Sequence, residues 1–106
     1  SQLDAVTGLS GSGPAYLFFL AEALIDAGSE VGLSKDEAKS LVEQTLLGAA
    51  ALLYESDDPA EVLRQKVTSK GGTTAAAIEV FENASFREII RAAVFAATER
   101  SLQLGD

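Results

Sequence analysis

The chain has 106 residues and a net charge of −8, which is one domain's worth of protein. With no Cys and no His it has no thiol nucleophile, no disulfide, no ordinary zinc site and no Ser-His-Asp triad. An acidic chain is also a poor ligand for nucleic acids or anionic membranes, which take clustered Lys and Arg.

Hydrophobic residues make up 47%, and Ala and Leu dominate them: 18 Ala and 14 Leu against 11 Val and Ile together. Ala and Leu lead the helix scale, whereas strands prefer β-branched residues, so the expected fold is all-α. The longest apolar run, Ala15 to Ala21, is far too short to span a bilayer. No signal peptide is visible, and a cytoplasmic setting is expected. The chain has no Met, not even an initiator, which suggests a processed or excised segment.

About five helices are predicted. The first runs from about Gly13 to Glu30, after Ser10-Gly11-Ser12-Gly13-Pro14, with a capping serine and a proline suited to a first turn. Only Glu22 and Asp26 interrupt its apolar body up to Ala27. A helix apolar on nearly every side is buried on nearly every side. One small chain rarely supplies that much cover, so a homodimer is expected. Ser34 opens the second helix, with Glu37 completing a capping box. Its stripe runs from Ala38 through Leu41, Val42, Thr45, Leu46 and Ala49 to Leu53, and the helix ends near Tyr54 or Glu55.

Ser56-Asp57-Asp58-Pro59 forms a turn, with Asp58 as cap and Pro59 in the first helical turn, and a short third helix follows to about Lys66. The fourth helix spans about Thr73 to Glu82. Ser85 and Glu88 form a second capping box before the fifth helix, whose stripe runs from Phe86 to Leu104. Gly105 is a plausible stop.

Two Gly/Ser segments could carry chemistry. Gly11-Ser12-Gly13 fails as a dinucleotide fingerprint, because the third glycine would fall at Tyr16 and no strand precedes it. It reads better as a helix start that lets chains approach closely. Ser69-Lys70-Gly71-Gly72-Thr73-Thr74 leads into the fourth helix. Free N–H groups and the positive dipole end at a helix start bind anions, and the hydroxyls of Ser69, Thr73 and Thr74 can assist. A carboxylate or phosphate would fit, although the spacing is not that of a P-loop. A capped turn between helices is the plainer reading, and both stand on these residues. Glu22 and Asp26 read as a polar stripe, and Asp57-Asp58 as turn and cap. Tyr16 and Tyr54 read as packing residues.

Together, Asp4-Ala5-Val6-Thr7-Gly8-Leu9-Ser10-Gly11-Ser12-Gly13-Pro14-Ala15-Tyr16 and Val67-Thr68-Ser69-Lys70-Gly71-Gly72-Thr73-Thr74-Ala75-Ala76-Ala77-Ile78 resemble the Δ1-pyrroline-5-carboxylate reductases. The likeness extends over essentially the whole chain but only the second half of such an enzyme. It implies that a Rossmann domain binding NADPH or NADH precedes residues 1–106 in the full protein. It also implies that residues 1–106 form a single helical C-terminal domain for dimerisation and substrate binding. Two copies would interlock as a homodimer, and such dimers assemble further into rings.

The resemblance assigns the substrate carboxylate to Ser69 and the N–H groups of Thr73 and Thr74, with Gly71 and Gly72 shaping the loop. Val67 would line the ring pocket, and the Thr74 hydroxyl is the catalytic candidate, facing the ring nitrogen. Lys70 stands where relatives often carry another residue, such as Pro, and takes no catalytic role. The implied reaction is hydride transfer to the C=N carbon of 1-pyrroline-5-carboxylate, giving L-proline, with the isolated segment inactive. Two alternatives remain: a non-enzymatic acidic helical docking module, and a reductase acting on another cyclic imine acid.

Overall fold

The computed structural model describes residues 1–68 and 72–105. Among them every secondary-structure element is helical: α1 (Gln2–Val6), a π-helical turn (Thr7–Gly11), α2 (Gly13–Glu30), α3 (Lys35–Glu55), α4 (Ala60–Thr68), α5 (Gly72–Asn83) and α6 (Phe86–Gly105). The all-α expectation holds, and α2 to α6 are the five predicted helices.

Local capping chemistry sets several boundaries. Ser34 and Glu37 form the predicted reciprocal box: Glu37 N–H donates to Ser34 Oγ at 3.1 Å, and Ser34 N–H to Glu37 Oε1 at 2.9 Å. Hydrogen bonds from Ser34 to the carboxyl, that of its backbone N–H foremost and that of its side chain next, hold Glu37 below its ordinary range. Pro59 sits one position further out than expected. Its carbonyl accepts from Val62 and Leu63, so it caps α4, while Ser56 Oγ orders the preceding turn by accepting from Asp58 N–H.

The second predicted capping box does not form. Ser85 has φ +60°, not the extended backbone that aims an N-cap hydroxyl at the helix. Its carbonyl instead accepts from Glu88 and Ile89 N–H at 3.1 Å.

The chain divides into two compact units: residues 1–18 with 77–106, and residues 19–76. In the first, α1 and the π turn lie against α6. Ser101 donates to Asp4 Oδ1 at 2.8 Å, and Tyr16 donates to the Gly8 carbonyl. Gly8 lies so close to α6 that a Cβ built on it would fall 2.2 Å from Thr98 Oγ1 and 3.0 Å from Thr98 N. The Phe81 and Phe86 rings meet with centroids 5.1 Å apart.

In the second unit, the α2–α3 joint turns at Gly32, whose φ of +114° favours glycine. There Gly28 packs against Ala38 and Leu33. Ala38 is the one buried hydrophobic side chain among the described residues.

Candidate functional site

The α4–α5 junction carries the predicted binding residues. Val67 lies in the last turn of α4 with 58% of its surface exposed. One residue on, the Thr68 hydroxyl folds back onto the Arg64 carbonyl at 2.6 Å and satisfies one acceptor of that turn. Lys66 reaches along α4 to Asp58, with Nζ 2.6 Å from Oδ2. Ser69, expected to bind the carboxylate, Lys70, expected to take no catalytic role, and Gly71, expected to shape the loop, lie outside the described residues.

Gly72, Thr73 and Thr74 form the first turn of α5, which starts one residue earlier than predicted. Backbone N–H groups in a first helical turn have no intrahelical acceptor, and the dipole gives that end partial positive charge. This arrangement can receive an anion. Thr73 is exposed and Thr74 half-buried. No described residue accounts for the glycine at position 72. Its φ is not in the left-handed region, and a Cβ built on it would meet no atom within 4 Å.

The first Gly/Ser segment leads into a helix start, as expected: α2 begins at Gly13. Gly11 belongs to the π turn, closed by Ser12 N–H donating to the Thr7 carbonyl at 2.9 Å, and no strand precedes it among the described residues. Within the chain, a Cβ on Gly13 meets nothing within 4 Å, whereas Gly8 approaches α6 closely. The stripe of small residues on α6, Ala93, Val94, Ala97 and Thr98, was the sequence signal for that contact. Glu22 and Asp26 are both exposed, as a polar stripe would be. Among the described residues, no group of acids is arranged to hold a metal ion, and no helix is long and apolar enough to cross a membrane.

Residues 1–104 match the family described as pyrroline-5-carboxylate reductase dimerisation. The chain belongs to this family. A pyrroline-5-carboxylate reductase of Mycobacterium tuberculosis is 50% identical to it, over 98% of this chain and 41% of that protein. The structure of a pyrroline-5-carboxylate reductase from Coxiella burnetii superposes with a TM-score of 0.93 at 47% identity, over 97% of this chain and 38% of that one. The Plasmodium falciparum pyrroline carboxylate reductase, solved with NADP bound, gives a TM-score of 0.92 at 40% identity, over 98% and 40%. The chain thus spans about two fifths of the length of these relatives. Membership explains why the helices expose so much apolar surface: Leu17, Phe18 and Phe19 of α2 are 54%, 72% and 74% exposed.

Proposed function

We propose that these residues are the dimerising and substrate-binding part of a reductase that converts 1-pyrroline-5-carboxylate to L-proline, the last step of proline biosynthesis. Two copies associate through the exposed apolar helices. The chain has 8311 Å² of accessible surface, whereas a self-contained monomer of 11.0 kDa exposes about 5,600 Å². The excess of about 2,700 Å² per chain is on the scale that obligate dimers bury. Rings of such dimers are the further assembly this reading allows.

The substrate carboxylate sits at the α4–α5 junction, and the observation that supports this reading is the start of α5 at Gly72, which puts Thr73 and Thr74 in a first helical turn whose N–H groups have no intrahelical acceptor. Among the described residues, neither backbone conformation nor packing requires a glycine at position 72. Thr73 and Thr74 N–H and the Ser69 hydroxyl donate to the carboxylate, Gly71 and Gly72 let it approach the main chain, and Val67 covers the ring. The Thr74 hydroxyl bonds to the ring nitrogen, orienting the C=N carbon and stabilising charge as that nitrogen becomes an amine.

NADPH or NADH supplies the hydride when bound. The described residues of this chain contain no strand–turn–helix cradle for a dinucleotide, so they do not fit that cofactor, and its binding falls to another part of the full protein. The chain's own task is to hold the substrate in register.

The test is turnover by the full-length protein with Thr74→Val. A hydrogen bond to a charged or charging group is worth about 1.5–3 kcal/mol, so kcat/KM falls about ten- to hundred-fold. Full activity in that variant overturns the assignment of Thr74. A full-length protein that does not reduce the imine acid overturns the reading as a whole.

A further inference from the structure

Glycine in the interior of a helix lowers its stability, so each one has a cause to be found. Gly28 of α2 has one: a Cβ built on it would lie 3.0 Å from the Ala38 Cβ. Gly8 has another in Thr98. Gly48, in the interior of the 21-residue α3, has none among the described residues. Its φ is not left-handed, and a built Cβ would meet no atom within 4 Å.

Gly48 stands in an apolar stripe. Leu41, Thr45, Gly48 and Leu52 follow one another at the alternating four- and three-residue spacing of a helix seam, within about 60° of arc. All four are exposed, Leu41 by 56% and Leu52 by 54%. The Thr45 hydroxyl donates to the Leu41 carbonyl at 2.7 Å, so its polar demand is met within the helix and its methyl is left to the stripe. The Lys39–Glu43 ion pair lies on the opposite face. A seam with leucines at its ends and small residues at its centre fits a second helix crossing nearer than the usual separation of about 8–10 Å.

The occupant is a second copy of this chain. The chain exposes 8311 Å², against about 5,600 Å² for a self-contained monomer of 11.0 kDa, and the excess is on the scale that obligate dimers bury. In a two-fold dimer the same patch appears on both partners, and a residue beside the axis meets its own counterpart. A close crossing needs a small residue on both helices at one point, and self-pairing at Gly48 supplies it.

We propose that α3 crosses α3 of a second copy at Gly48, with Leu41, Thr45, Gly48 and Leu52 as the seam. The proposal rests on the reading that two copies associate through exposed apolar helices, and it adds where the two-fold axis passes. Gly48→Ala then has a diagnostic sign. On a solvent-facing helix the substitution favours folding about four- to five-fold. At a close crossing it adds a methyl from each copy to a filled space and weakens association about ten- to hundred-fold.

The experiment uses the full-length protein. Sedimentation over a dilution series and subunit exchange between tagged and untagged forms compare wild type with Gly48→Ala, and circular dichroism checks helix content. Gly48→Ala should keep its helix content, yet dissociate at a higher concentration or exchange subunits faster, by about ten- to hundred-fold. Gly48→Cys under mild oxidation should join two copies by a disulfide that mass spectrometry places at residue 48 in both, since that bond needs Cα atoms within about 7 Å. Association of Gly48→Ala as tight as wild type overturns the crossing. So does a Gly48→Cys protein that stays dimeric without joining, whereas loss of the dimer in that variant supports a filled crossing. The crosslink decides alone if Gly48→Ala does not fold. A wild-type protein that sediments as a monomer refutes the underlying reading of association instead.

Discussion

Replacing Gly8 with Ala tests the close packing of the π turn on α6. The added methyl would lie 2.2 Å from Thr98 Oγ1, 3.0 Å from Thr98 N and 3.1 Å from the Val94 carbonyl oxygen. The hydroxyl could rotate away, but it now donates to the Val94 carbonyl at 2.8 Å and would lose that bond. The two backbone atoms belong to α6 and cannot yield without shifting the helix. Overpacking of this kind costs about 1–3 kcal/mol, and a lost hydrogen bond about 0.5–1.5 kcal/mol. The helical gain of Ala over Gly returns about 1 kcal/mol, leaving a net loss of about 1–3 kcal/mol. For about 100 residues that lowers Tm by roughly 4–12 °C, measured at fixed protein concentration because association shifts Tm. Thr98→Ala removes the nearest obstruction, so Gly8→Ala/Thr98→Ala should recover part of the loss, with a coupling of about 1 kcal/mol in the double-mutant cycle. Additive effects, or an unchanged Tm for Gly8→Ala, would refute the packing argument.

Tyr16→Phe removes the donor to the Gly8 carbonyl and leaves an acceptor on a buried residue without that partner. The expected cost is about 1–1.5 kcal/mol in urea unfolding, with no change in m because the same surface is exposed. Glu37 sets a pH dependence whose sign follows from its depressed carboxyl. A group charged more readily folded than unfolded stabilises the fold above its ordinary pKa of 4.5, and that contribution disappears as pH falls through the lower folded value. Melting curves between neutral and acid pH should therefore lose less stability in Glu37→Gln than in wild type. Identical acid slopes would show that the box is not populated.

Where the structure obeyed the sequence, the cause was local. The Ser34–Glu37 box and the α4 turn depend on bonds between residues two to four apart, and those residue types announce them. Ser85 carries the same signature and fails, because φ +60° turns its carbonyl, not its hydroxyl, toward the helix. That backbone choice accompanies the tight α5–α6 corner, where Phe81 meets Phe86. The lead-in before α2 was hidden for a different reason. Glycines at 8 and 11 and a chain of only five residues in α1 argue against a helix on propensity alone. What holds it is contact with residues some ninety positions away: Ser101 for Asp4, and Thr98 for Gly8. The π turn accommodates that contact, with Tyr16 taking the carbonyl of Gly8.

The α4–α5 junction was legible as chemistry before it was legible as a place. Hydroxyls, paired glycines and a helix start specify an anion, but a capped turn uses the same residues. At Gly72, neither a positive φ nor a crowded Cβ among the described residues accounts for the glycine. The opposite holds at Gly8, where crowding accounts for it fully. Two glycines in comparable helical settings thus separate by what surrounds them. One closes a contact inside the chain, and the other lies exposed in the first turn of α5. The same reasoning applies to the apolar helices. An apolar face that its own chain leaves exposed, as α2 does at Leu17, Phe18 and Phe19, is a binding surface whose occupant is a second protein surface and not solvent.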